Sequence, residues 1–444
     1  VSTGIENTTI ENTTIENTTI EKTVIENVVC TFCGCLCDDL VVEVAGGRVA
    51  KLRRACSNGG GLFSHYDPAP VPPTVDGREV AWQEAVAEAA RILDQADAPL
   101  IYGLSSTASE AQRKAIALAD KLGAMIDTTS SVCHGPTGLA MQAVGEPTCT
   151  LGEVRNRADL VVFWGCNPAE SHVRHFTRYS VMPKGMLTPG GKRDRTVVVV
   201  DVRPTASTRT ADLFLQIEPG KDYEVLTALR ALVRGRELTA ESVGGLPVSK
   251  LQALVERMKG CRFGVIHMGM GLTQTGGRDL NVSELFSLVA ELNQYTRFSV
   301  IPMRGHGNVT GADQVMAWQT GYPFAVSFAR GYPRYGPGEF STVDLLARGE
   351  ADAILVISSD PAAHLPRAAV RHLATIPTIV LDPMPTLTGK TARVVLPTAC
   401  YGLDAPGTAY RMDAVPLRLR TVLPRQRPTD EEVLDQIIEA VQQC

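Results

Sequence analysis

Four cysteines fall within eight positions of the stretch CTFCGCLCDD, at Cys30, Cys33, Cys35 and Cys37, and a fifth, Cys56, follows in RRACSNGG. Cys30, Cys33, Cys37 and Cys56 form the spacing C-x2-C-x3-C-x18-C. Zinc and a [4Fe-4S] cluster both accept four thiolates. Zinc ribbons favour two separated C-x2-C knuckles, whereas three cysteines in one loop with a distant fourth fit a cubane. Zinc and an empty, degenerate site remain the alternatives. Cys35 falls outside this spacing and is expected to point away from its neighbours' site. In a reducing compartment, clustered thiols hold metal more often than they form disulfides.

A second chemistry-bearing pair is Cys133 and His134 in SSVCHGPTG, on a turn marked by Gly135 and Pro136. Such a cysteine is a nucleophile or a soft ligand for molybdenum or tungsten; the plain alternative is a buried structural thiol. Glycine-rich strand ends supply backbone N–H donors for phosphate-bearing cofactors. They include Gly165, Cys166 and Asn167; Gly269 and Gly271 with Thr273 and Gln274; and Arg304 and Gly305 with Asn308. Asp201, with Arg203 beside it, ends a strand where a carboxylate can accept N–H or O–H donors of a ligand. Each of these, taken singly, also reads as an ordinary tight turn. His172, Arg174 and His175 of ESHVRH receive no role.

These residues must be held by the surrounding elements. Short runs rich in branched residues, such as ADLVVFWG, TVVVVDVRP, FGVIHMGMG, ADAILVISS and PTIVLDP, alternate with stretches of helical periodicity such as WQEAVAEAARILDQA. That alternation predicts an α/β chain whose parallel sheets are covered on both faces. Ligands of such sheets bind beyond the carboxyl ends of strands, where the candidate loops lie. The 444 residues suffice for several domains, and the formal net charge of −5 gives no sign of nucleic acid or an anionic membrane surface as partner. With no apolar run of membrane-spanning length and no apolar secretion core, a cytoplasmic location is expected. The five-residue repeat that begins at Ile5 matches neither helix nor strand period, so residues 1–26 are read as a disordered tail or a misplaced start.

The ordered set VVCTFCGCLCDDLVVEV, SSVCHGPTG, EVRNRADLVVFWGCNPAESHVRH, VVVDVRPTASTRTADLFLQIEPGKDYEV, GMGLTQTGG, MRGHGNVTGADQV and GTAYRMDAVPLRLR resembles the B subunit of formylmethanofuran dehydrogenase. More broadly, the chain is similar to molybdopterin-dependent formate dehydrogenases. The resemblance runs from residue 28 to about 420. It implies the molybdopterin-oxidoreductase fold without the C-terminal barrel of single-chain formate dehydrogenases. It also implies a [4Fe-4S] cluster on Cys30, Cys33, Cys37 and Cys56, and tungsten or molybdenum bound by Cys133 and by two pterin guanine dinucleotides. His134 and Arg304 match the residues that line the CO2/formate pocket; the planar Arg304 fork suits a carboxylate, although an ion-pair role is open to it as well. The implied partners are an amidohydrolase-like A subunit, a C subunit and a barrel-domain D subunit. The implied organisation is a cluster segment at 27–70 rejoined by 400–424, one α/β pterin-binding domain from 71–140 and 305–400, a second from 141–304, and a C-terminal helix at 425–444. The rival reading from the same relatives is a non-redox structural subunit of a bacterial formyltransferase/hydrolase complex. One departure concerns electron transfer: Cys56 is followed by SNGGG and not by the basic residue common in related enzymes.

Overall fold

The structure, a computed structural model, describes residues 8–15 and 18–441. The chain divides into two compact units. One takes the residues up to Val132, His306–Arg411 and the chain from Pro416; the other takes Cys133–Gly305 with Met412–Val415.

The second unit is built on five parallel strands. Their spatial order is Leu213–Gln216, Thr196–Asp201, Leu160–Trp164, Phe263–Met268 and Arg297–Pro302. Val161, Val162, Phe163, Val198 and Val199 are fully buried, as expected of strands covered on both faces. The helices Asp222–Val233, Val248–Gly260 and Arg278–Leu292 contribute Leu229, Leu254 and Leu285 to the same core as Val162 and Val200. Chain order reverses between Leu160–Trp164 and Phe263–Met268. This is the topological switch point, where two loops diverge and leave a crevice beyond the strand ends. Those two loops carry Gly165–Asn167 and Gly269–Gly271.

The first unit holds a nine-stranded sheet with five parallel strands at its centre, in the order Met125–Thr128, Pro99–Gly103, Ala353–Ile357, Thr378–Asp382 and Val394–Pro397. Short antiparallel pairs extend both edges. Here the reversal falls between Pro99–Gly103 and Ala353–Ile357. One face packs against Trp82–Asp94, Ser109–Leu122 and the helix Asp430–Val441. No closed barrel is formed by the described residues. Among them, no helix is long and apolar enough to cross a membrane.

A four-stranded antiparallel sheet precedes this unit's main sheet, with strands at Thr8–Ile15 and Thr18–Val28 where a disordered tail was expected; the rest of that tail lies outside the described residues. Thr8–Ile15 pairs with Thr18–Val28, which in turn pairs with Leu40–Ala45. The sequence hides these strands because a period of five is odd. It gives none of the two-residue alternation that marks an apolar strand face. The β-branched content and the partner strand carry the structure instead.

Candidate metal and cofactor site

The Cys30–Cys37 loop is closed by its own backbone. Cys30 N–H donates to the Cys37 carbonyl at 2.8 Å and Leu36 N–H to the Cys33 carbonyl at 3.0 Å, with Leu36 at φ +36°. Val29 and Leu36 share a small core with Tyr401, Ala409 and Leu419, and the Tyr401 hydroxyl donates to the Thr31 carbonyl at 2.8 Å. Cys56 caps the helix Ser57–His65, its Sγ accepting from Gly59 N–H at 3.4 Å. Burial raises the Cys30 thiol pKa, and the neighbouring Cys33, Cys37 and Cys56 raise it further. These four thiols therefore lie within electrostatic reach of one another, and a cation among them would relieve the cost of ionising all four. Among the described residues, no three His, Cys, Asp or Glu side chains converge on a single-ion site. A cubane offers four separate iron corners, so its thiolates need not converge on one point. Cys35 departs from expectation: it is buried and its side chain is hydrogen-bonded to Cys33.

In the second unit, Cys133 ends a short helix, Ser130–Cys133, and its thiol is half-buried. Its carbonyl accepts from Thr273 Oγ1 at 2.9 Å and Gln274 Nε2 at 3.4 Å, so these two candidates position Cys133. His134 opens the helix Gly135–Val144 and is buried, with Nδ1 3.3 Å from Thr137 Oγ1. Burial and the Arg304 charge push His134 down to about 3, against the opposing effect of a hydrogen bond to the Met303 backbone. It stays neutral at physiological pH. Arg304 is 6% exposed. Cys133, His134 and Arg304 thus belong to one unit, with a fixed cation beside a neutral imidazole.

The loops at the switch point interlock. A Cβ on Gly269 would lie 2.5 Å from the Cys166 Cβ, and one on Gly271 would lie 2.7 Å from the Gly165 Cα. The close approach these glycines permit is between the two loops themselves. Cys166 is buried, with its Sγ 3.3 Å from the His267 carbonyl, so it packs the loop from beneath. Asn167 Oδ1 accepts from Ser207 N–H at 3.1 Å and Ser207 Oγ at 2.7 Å. Asp201 is half-buried at its strand end, its pKa raised by burial, and Arg203 beside it is exposed. A Cβ on Gly305 would meet open space. Asn308, in the first unit, is a strut and not a ligand-facing amide. Its Nδ2 donates to the Thr107 carbonyl at 2.8 Å, and its Oδ1 accepts from Tyr410 N–H at 2.7 Å, with no side-chain exposure.

Sequence reasoning missed a second copy of this arrangement in the first unit. Ser358-Ser359-Asp360-Pro361-Ala362 repeats Gly165-Cys166-Asn167-Pro168-Ala169. Ser358 takes φ +47° where Gly165 takes +57°, and each N–H donates across to the neighbouring strand end, Ser358 to Leu381 at 2.8 Å and Gly165 to Val200 at 2.9 Å. Asp360 Oδ1 accepts from Thr388 N–H and Oγ1 at 2.9 and 2.7 Å, as Asn167 accepts from Ser207. The Thr388 hydroxyl then accepts from Ala362 N–H at 3.0 Å, as Ser207 does from Ala169 at 3.2 Å. Asp382 stands where Asp201 does, and burial, with Asp430 and Asp360 nearby, pushes its pKa up to about 7. The similarity of SSDPAAH to GCNPAESH, each following a strand introduced by Ala-Asp, was the available signal.

Two open α/β sheets, each with a switch-point loop pair, together with a four-thiol loop and a Cys-His pair near an arginine, define a cofactor-dependent oxidoreductase. Residues 76–402 match the molybdopterin oxidoreductase family, and the chain belongs to it. Within that family it falls with the B subunits of formylmethanofuran dehydrogenase. It is 46% identical over 94% of its length to the B subunit of the tungsten-containing formylmethanofuran dehydrogenase 2 of Methanocaldococcus jannaschii, of which 98% is covered. It is 28% identical over 73% of its length to the B subunit of the formyltransferase/hydrolase complex of Methylorubrum extorquens, 84% of which is covered. The crystal structure of that complex with methylofuran contains a similar chain, with a TM-score of 0.69 at 26% identity, covering 84% of this chain and 99% of that one. The protein is thus a subunit of a molybdopterin-type one-carbon oxidoreductase, with relatives that work in multisubunit complexes.

Proposed function

We propose that this chain is the redox subunit of a formylmethanofuran dehydrogenase and interconverts CO2 and formate at a tungsten or molybdenum bis(pterin guanine dinucleotide) centre. The observation that carries this reading is the retention of Cys133 and His134 in the same unit as the buried Arg304, alongside the complete Cys30, Cys33, Cys37 and Cys56 set. The two-electron chemistry, CO2 + H+ + 2e− ⇌ HCOO−, is supplied by the metal–dithiolene centre when bound. Cys133 would give it a thiolate, presented at a fixed height because its carbonyl is anchored to Thr273 and Gln274. Arg304 neutralises and orients the formate carboxylate in a pocket where an unpaired anion is costly. Neutral His134 borders that pocket without adding a competing charge. Each unit's switch-point loop suits a pterin guanine dinucleotide of its own, with Asp201 in one unit and Asp382 in the other as acceptors suited to guanine N–H donors. A [4Fe-4S] cluster on the four cysteines would pass electrons onward. The remaining subunits, A, C and barrel-domain D, would supply the carrier chemistry and cover the cofactor, in the cytoplasm.

The test uses the assembled complex. Cys133→Ala should abolish viologen-linked formate oxidation, and Arg304→Lys should weaken it strongly through loss of the planar fork. Hydrolysis of the formylated carrier by a partner subunit should survive both changes. A wild-type complex that contains neither tungsten nor molybdenum, reduces no dye with formate and still releases formate from the carrier would overturn the reading. It would make the chain a structural subunit like that of the formyltransferase/hydrolase complex.

A further inference from the structure

His172 lies in ESHVRH, the motif left without a role, and it is 3% exposed. Its Nε2 is 2.8 Å from the backbone carbonyl of Arg304, and its Nδ1 is 2.8 Å from the Ser171 hydroxyl. A carbonyl can only accept, so Nε2 carries the hydrogen. Burial lowers the His172 pKa, although the Arg304 carbonyl opposes this, so Nδ1 is the ring's acceptor, and the Ser171 hydroxyl beside it, also 3.0 Å from the Asn167 carbonyl, has one hydrogen to share between the two. Ser171 belongs to the single helical turn Pro168–Ser171 that starts at Asn167, and the Asn167 carbonyl receives Ser171 N–H at 3.1 Å. Asn167 in turn anchors Ser207 beyond the neighbouring strand. An unbroken chain of short hydrogen bonds therefore runs from the Asn167 loop to Arg304, entirely within one unit.

We infer that His172 is a positioning residue for Arg304: it fixes the arginine's backbone to the Asn167 loop and so sets where the guanidinium meets a bound carboxylate. The inference rests on the reading of Arg304 given above. A displaced fork meets its anion less well while the chemistry at the metal is untouched, so the effect belongs to substrate binding and not to turnover.

In the cofactor-loaded complex, His172→Leu should raise the KM for formate about tenfold, with kcat within about threefold of wild type. His172→Gln, which keeps an N–H donor of similar reach, should restore most of the loss. Independently of turnover, phenylglyoxal should modify Arg304 faster in His172→Leu than in wild type, as read by peptide mass spectrometry, with Gln again intermediate. Unchanged KM and unchanged labelling in a properly loaded His172→Leu complex would overturn the inference, as would equal damage from Leu and Gln. Should His172→Leu fail to assemble, Ser171→Ala carries the test. Ser171 is exposed, and losing its hydroxyl should raise KM about threefold; no change there would overturn the inference too. If the wild-type complex oxidises no formate, the functional reading fails, and the labelling rates still decide whether His172 holds Arg304.

Discussion

A methyl group on Gly59 would sit 2.7 Å from the Sγ of Cys30. Gly59 lies in the first turn after Cys56, so the helix that presents the fourth thiol also walls in the first. Gly60, one position on, would meet nothing within 4 Å.

That difference makes a matched pair of variants. Gly59→Ala should displace Cys30 and lower the iron content of the complex by half or more, with loss of the reduced-state EPR signal. Gly60→Ala should be neutral or stabilise the helix by about 0.5–1 kcal/mol, since alanine costs less order on folding than glycine. Equal iron content in the two variants would remove Cys30 from the proposed ligand set.

Cys33 and Cys35 separate ligand from neighbour. Cys33→Ala should lose the cluster. Cys35→Ala should keep full iron content, because the ligand set is complete without it, but cost about 1 kcal/mol as its buried sulfur leaves a void beside Cys33. Iron per subunit and the thermal midpoint, measured on the same preparations, check both halves. Loss of iron from Cys35→Ala would mean that the loop presents a different set of sulfurs.

The duplicated loops give a built-in control for Asp360. Asparagine fills the equivalent place at Asn167 and makes the same bonds to a hydroxyl residue. Asp360→Asn should therefore keep the Thr388 contact and lose only the acceptor for Leu387 N–H, which Asp360 Oδ2 receives at 2.8 Å. Asp360→Ala loses all three and should cost ~1–3 kcal/mol. Chemical denaturation would rank them; an alanine variant as stable as the asparagine one would show that the loop does not depend on this anchor.

How much of this was legible in the sequence depended on distance along the chain. The closeness of Cys30, Cys33, Cys37 and Cys56 was readable because three of them lie in one loop. The parallel strands were readable because burial on both faces leaves unbroken branched runs such as Val197–Val200. Asn308 misled because an amide in a glycine-rich loop suits a ligand and a strut equally; its partners Thr107 and Tyr410 lie about two hundred and one hundred residues away. Asp360 and Asp382 escaped because their equivalence to Asn167 and Asp201 is a matter of strand order, with the first unit's sheet completed only after the second unit has intervened. The strand Thr18–Val28 escaped because an odd-numbered repeat erases the alternation by which a strand is recognised.

Glu146 should make formate binding depend on pH. Burial holds its carboxyl up at about 7, despite the lowering effect of the nearby Arg304 charge. Below that pH Glu146 is neutral and the whole Arg304 charge faces a formate anion. Above it, an ionised Glu146 competes for the same cation and repels formate, which itself stays ionised throughout. The KM for formate should therefore rise above pH 7, by at most about tenfold per pH unit for a single titrating group. Glu146→Gln should flatten this rise and leave the KM near its low-pH value. The sign for stability follows from the same shift: the folded state keeps a proton that the unfolded chain releases, so Glu146 contributes most below 4.5 and its contribution is lost as pH rises toward 7. Initial rates with saturating viologen between about pH 6 and 8.5, in wild type and Glu146→Gln, would decide it; a KM rise that persists unchanged in the glutamine variant would assign the titration to another group.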